Sequence, residues 1–311
     1  MRVYPISFSI PESKIVPVPP PKTKRFGHIV PGDLKTYIFK TEQDYYNDYQ
    51  QAIFGKTVKK GGWDTLRHYE ILANGCIPWF EDLPDCPETI LFNFPKDLIN
   101  RAATSAQPEQ FIQPLLDYTR NHLTCRAVAQ YVFDTVGCPS PKRVLFLHTD
   151  PSPDYLRCLT LIGMKQILGS ACVESIVVPH IYDDYGPSDN LYGKGFTYTK
   201  ILPASMKPHP YSVEEIETKQ YDLIIYGSIH RGLPHWDLVT SLYGPDEVIA
   251  LCGEDLHEPD SCAGAELVTK CTLFVRELTR EFYDIASSEP NKTLAMPERF
   301  TFPIPGAQFI R

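Results

Sequence analysis

Between Lys59 and Glu70 the chain reads KKGGWDTLRHYE, which places two lysines, a glycine pair, an arginine and two acids across a turn and one helix. The Gly61-Gly62 pair lets a backbone approach an anion closely or adopt positive φ. A helix N-terminus behind such a turn offers unsatisfied N–H groups to the same anion. Lys60 and Arg67 carry the charge to neutralise a diphosphate, with Arg67 about one turn inside the helix. Glu70, three residues beyond Arg67, could accept from two ribose hydroxyls or simply orient the guanidinium. Trp63 could stack on a base or close the core. The structural alternative is a capped helix with an Arg–Glu pair. The segment is neither a GxxxxGK[ST] loop nor a GxGxxG turn.

A second set of candidates follows apolar runs in the other half of the chain. Gly227-Ser228-Ile229-His230-Arg231-Gly232 comes directly after YDLIIY, where His230 suits general-base work on an acceptor hydroxyl. Gly253-Glu254-Asp255-Leu256-His257 comes after EVIALC. Glu254 or Asp255 is a rival base, and with His257 they could instead hold a metal, although a solvated cap turn explains them too. Asp150 or Asp154 could bind acceptor hydroxyls, and Asp154 could equally cap the helix after it. Asp183, Asp184 and Asp189 could contact Mg²⁺ but read rather as a solvated acidic loop. No HExxH motif or clustered His/Cys spacing calls for a metal, so none is assigned. Ser228 is not in a GxSxG setting.

These residues need a scaffold that gathers them. Leu66, Tyr69 and Leu72 recur at spacing three, predicting a helix over Thr65–Ala73 with Asp64 as its cap and Asn74-Gly75 at its end. Cys76–Phe80 follows as a short strand. A single helical connector is expected over Phe111–Val136, stopped by Gly137-Cys138-Pro139. RVLFLH (143–148), VESIVVPH (173–180), YDLIIYGS (221–228) and EVIALCGED (247–255) read as buried strands separated by helices, including Pro234–Tyr243. Such alternation predicts an α/β fold with parallel sheets, and ligands collect at the carboxyl ends of their strands. VPVPPPKTK (16–24) is a stiff connector. A weak echo links Tyr4–Pro11 with Phe300–Pro305.

Residues 45–99 resemble the nucleotide-sugar-binding part of exostosin-like glycosyltransferases. The likeness rests on Ala52–Phe54, the basic turn Lys60-Gly61, the Arg67-xx-Glu70 pair and Gly75-Cys76-Ile77-Pro78. It implies two Rossmann-like domains with a GT-B-like cleft between them. By resemblance, Lys60 and Arg67 go to the diphosphate and Glu70 to the ribose of a nucleotide-diphosphate sugar such as a UDP-sugar. That sugar would be the donor substrate, no separate cofactor is implied, and transfer to a carbohydrate hydroxyl would be inverting. This chain departs from the family in its GGWD turn, where a longer loop is usual, and in Ala52, where Ser is common. The donor domain is normally C-terminal in GT-B enzymes, so its position here implies a circular permutation. Residues 1–138 would form the donor domain with its connector, and 139–311 the acceptor domain. A non-catalytic nucleotide- or glycan-binding protein is the alternative.

Composition narrows the partners. With 30 Lys+Arg against 38 Asp+Glu and a net charge of −8, the 311-residue chain offers little general attraction to nucleic acid or an anionic membrane. No run approaches the ~18 apolar residues of a membrane span, and the first residues lack a signal-peptide pattern. The nine cysteines are odd in number, with no CxxC pair, and read mainly as core thiols of a reduced compartment. A cytoplasmic location is expected. The Asn291-Lys292-Thr293 tripeptide matters only if the chain is secreted.

Overall fold

Uninterrupted apolar runs become strands where both faces of a sheet are covered. In the computed structural model, which describes residues 2–255 and 265–280, the strands are β1 (Val3–Pro5), β2 (Lys24–Phe26), β3 (Ala52–Lys56), β4 (Ile77–Trp79), β5 (Val144–Leu147), β6 (Cys172–Glu174), β7 (Leu223–Tyr226), β8 (Val248–Cys252) and β9 (Thr272–Val275). The α-helices are α1 (Glu42–Gln51), α2 (Leu66–Ala73), α3 (Lys96–Thr104), α4 (Ile112–His122), α5 (Cys125–Thr135), α6 (Tyr155–Leu168), α7 (Val213–Glu217), α8 (Trp236–Leu242) and α9 (Ala265–Lys270). The protein is α/β. One parallel sheet has the order β1-β9-β8-β7-β5-β6, and a smaller parallel sheet has the order β2-β3-β4.

Alternate residues of the large sheet serve two cores. Val144, Phe146, Ile225, Leu251 and Phe274 face one cluster, while Leu145, Leu147, Ile224, Ala250 and Val275 face the other. This two-sided burial is why these strands read as continuous apolar runs. The first cluster also takes in Phe54, Tyr69 and Leu72, so one core runs from the large sheet to the smaller unit. The chain crosses between the two units at its start: β1 pairs with β9, and β2 then opens the small sheet against β3.

Several elements differ from expectation. The connector is two helices, not one, because Ile10 inserts beside the break: its N–H donates to the Leu123 carbonyl and its own carbonyl accepts from Cys125 N–H. Thr124 then caps α5. The strand expected over 173–180 is only β6, after which the chain turns at Pro179–Ile181. Thr65, not Asp64, is the N-cap of α2, and it makes no side-chain capping bond. Asp64 is drawn away because its carboxylate accepts from Phe8 N–H at 2.7 Å. Asp154 does cap α6, accepting from Arg157 N–H. The 300–305 echo, the 291–293 tripeptide and His257 lie outside the described residues.

Candidate functional site

The segments that leave the carboxyl ends of β3, β5, β7, β8 and β9 converge on one cavity of about 660 Å³. That volume lies in the usual range for small-molecule sites, and the position matches the rule for parallel sheets. Lys60, Gly62, Asp64, Arg67 and Glu70 form one wall. Asp154, His230, Arg231, Glu254 and Asp255 form the facing one, and Tyr37, Phe39, Tyr192 and Phe196 also line it. The two sets of residues singled out from sequence therefore share a single cavity.

The glycine turn is held by a buried pair that the sequence reading missed. Directly after β9, Glu277 accepts from Trp63 N–H (3.1 Å) and Asp64 N–H (2.8 Å). Arg276 donates to the Asp64 carbonyl (2.6 Å), the Gly253 carbonyl (3.0 Å), Glu277 (2.9 Å) and the Asp255 carboxylate. Its guanidinium also lies over the Phe8 ring at 4.6 Å. Arg276 and Glu277 are 1% and 3% exposed, so this clamp is a desolvated contact between the two units. Gly61 and Gly62 are needed for it: a Cβ on Gly61 would fall 2.7 Å from Asp255 Oδ2, and one on Gly62 would strike Glu277. The backbone approach expected at these glycines is thus to the protein's own carboxylates, and neither glycine has positive φ. Burial is also the main reason the Glu277 and Asp64 pKa values rise, Asp64 to about 7.

Lys60 and Arg67 are differently placed. Lys60 is exposed, and its ammonium has no hydrogen bond or ion pair among the described residues. Arg67 is half-buried. Its Nη2 donates to the Tyr37 hydroxyl at 3.0 Å, its guanidinium lies 5.2 Å from that ring, and its Nε is buried without a partner. No carboxylate among the described residues comes within ion-pair distance of either cation. Between them α2 begins, uncapped and with no acid in its first turn. The positive end of the helix and two cations with no carboxylate at ion-pair distance among the described residues therefore line the cavity together.

Glu70 corrects its expected role. It lines the cavity but is only 7% exposed. One oxygen accepts from the Tyr45 hydroxyl at 2.7 Å, the other from Thr197 Oγ1 at 2.5 Å. Thr197 lies in the other half of the chain at φ 78° and also meets the Tyr46 hydroxyl at 2.6 Å, while its N–H donates to Glu42. Glu70 is thus the anchor of the strap 192–197, not an open acceptor for ribose. Burial raises its pKa. The signal was out of reach from sequence, since its partners lie 25 and 127 residues away.

On the facing wall, His230 sits in the turn after β7 with Nε2 3.8 Å from Asp154 Oδ2. Arg231 Nε donates to the same His230 nitrogen at 3.3 Å. Asp154 also accepts from Ser228 Oγ at 2.8 Å. Asp150 is engaged with Arg231 (3.2 Å) and Ser152; burial opposes its ionisation, but the Ser152 bonds and the charges of Arg157 and Arg231 hold its pKa at about 2. Asp255 is tied to Arg276, which argues against it as a free base, whereas Glu254 is half-buried at the cavity wall. Asp183 accepts from Ala204 N–H and Asp184 pairs with Lys207 at 2.6 Å. Among the described residues no three His, Cys, Asp or Glu converge as a metal site.

The cysteines add no obvious chemistry. Burial raises the thiols of Cys76, Cys125, Cys158 and Cys172 to about 12, leaving them unsuited to act as nucleophiles. Cys252 is disulfide-bonded, a departure from the expected free thiols. Among the described residues no helix is long and apolar enough to cross a membrane. Comparison of the chain with protein families, curated proteins and solved structures finds no match.

Proposed function

We propose that the cavity binds a nucleotide-diphosphate sugar and that the protein transfers the sugar to an acceptor hydroxyl. One observation carries this reading: Lys60 and Arg67, unpaired with any carboxylate among the described residues, flank the uncapped start of α2 across the cavity from His230 and Glu254. Negative charge develops on a departing diphosphate, and fixed cations with a helix N-terminus stabilise it. The acceptor would enter from the His230 side. With Arg231 donating to Nε2, the neutral imidazole carries its proton on Nδ1, so His230 would accept a proton only at Nε2 once Arg231 releases it, and Glu254 is the other candidate base. Two Rossmann-like units in a permuted GT-B arrangement would account for the two sheets meeting at one cleft. Glu70 then shapes the donor wall through the strap rather than by holding ribose.

A binding protein without transfer activity is favoured by two specific features, the occupied Nε2 of His230 and the pairing of Asp255 with Arg276. A thermal-shift screen of nucleotide sugars, followed by product detection with each hit, separates the two. For a transferase, His230→Ala keeps donor binding and loses most turnover, by about 10²–10⁴-fold if the group is a general base. Donor binding without product in the wild type would leave the binding protein.

A further inference from the structure

We propose that the rim of the cavity is a docking surface for an anionic lipid bilayer, with the cavity opening toward the membrane. This does not depend on the transfer chemistry proposed above. The loop after β2 and the loop after β3 leave the same carboxyl end of the small sheet, and both reach the cavity, through Tyr37 and Phe39 in one and Lys60 in the other. The first of these loops exposes Leu34 at 84% and Ile38 at 57%. Across the mouth, Lys194 Nζ donates to the Phe39 carbonyl, which brings in the strap with Tyr192, 73% exposed. Isolated exposed apolar residues are ordinary, but Leu34 and Ile38 share a loop with the cavity-lining Tyr37 and Phe39, and Tyr192 lines the cavity itself.

Charge follows the same outline. The chain has a net charge of −8, yet these loops carry Lys35, Lys40, Lys59 and Lys60, none of them in an ion pair among the described residues. Asp33 is the one acid between residues 32 and 41, and its carboxylate accepts the Lys35 backbone N–H. Exposed apolar side chains on loops that also carry lysines match a bilayer with anionic headgroups, where the apolar groups enter the interface and the ammonium groups stay among phosphates. A soluble anionic polymer would use the lysines and leave Leu34 and Ile38 in water. A second copy of the chain would place like charges against each other.

Co-sedimentation of the full chain with phosphatidylcholine vesicles containing ~30% phosphatidylserine tests this, with pure phosphatidylcholine vesicles as the comparison. Binding is expected only to the anionic vesicles. Each lysine near such a surface is worth about fivefold in partitioning, so Lys35→Ala/Lys40→Ala should weaken binding about 25-fold. Leu34→Ser/Ile38→Ser should weaken it about tenfold or more while leaving the melting temperature and the net charge in place. Absence of wild-type binding, equal binding to both vesicle types, or full binding by Leu34→Ser/Ile38→Ser would each overturn the proposal. So would a concentration-dependent dimer abolished by Leu34→Ser/Ile38→Ser without vesicle binding.

Discussion

Replacing Glu277 with alanine should loosen the junction between the two units. Its carboxylate accepts two backbone N–H groups, from Trp63 at 3.1 Å and Asp64 at 2.8 Å, and one bond from Arg276 at 2.9 Å. A hydrogen bond to a charged group contributes about 1.5–3 kcal/mol, and removing one partner of a buried pair costs about 3–5 kcal/mol. The full sum is not expected. Trp63 N–H is only part-buried and can turn to water, and Arg276 keeps the Asp64 and Gly253 carbonyls. A loss of about 3–4 kcal/mol remains, large against the ~5–15 kcal/mol stability of a typical protein. Urea unfolding measures it as a lowered midpoint with little change in slope. Glu277→Gln keeps one acceptor oxygen and should lose about half as much. A loss below about 1 kcal/mol for Glu277→Ala would show that the clamp contributes no net stability and refute the reasoning.

Two further perturbations probe the same architecture. Burial raises the Asp64 pKa from 3.8 to about 7 against the pull of Arg276 and the Phe8 N–H, so the folded chain holds a proton there that the unfolded chain releases above about pH 4. Stability from this group is therefore highest at low pH and falls as pH rises from about 4 to 7, by up to ~4 kcal/mol. Asp64→Asn cannot ionise, so its stability relative to wild type should grow between about pH 4 and pH 8; a pH-independent difference would contradict this. Thr197→Val removes a hydroxyl bonded to both Glu70 and Tyr46 while keeping side-chain size, and should cost about 2–3 kcal/mol in thermal or urea unfolding. No measurable change would show that the strap is not anchored there.

The local parts of the molecule were legible from residue order because their causes are local. The runs that became β5, β7 and β8 are buried on both faces, so every position in them is apolar or nearly so, and α2 shows its spacing-three stripe within a single short helix. Asp154 was readable as a cap because its bond reaches only three residues ahead. What was hidden depends on distant partners. β1 and β9 are three and four residues long and pair although they lie near opposite ends of the described chain, too short for a periodic signal. The break between α4 and α5 is made by Ile10. The roles of Glu70 and of the glycine pair were misread for the same reason: Thr197 and Glu277 approach them only in the folded chain. Lys60 and Arg67 both line the cavity, with no carboxylate among the described residues within ion-pair distance of either.

Calorimetric titration of UDP into the wild type and into Arg67→Ala bears most directly on the anion site. Loss of one charge-assisted contact to the diphosphate should weaken binding by about 10–100-fold, from ~1.5–3 kcal/mol, while the unfolding midpoint falls only by what the Tyr37 hydrogen bond and ring contact contribute. Equal UDP affinity in the two proteins, or no binding by the wild type, would contradict the assignment of Lys60, Arg67 and the start of α2 to a nucleotide diphosphate.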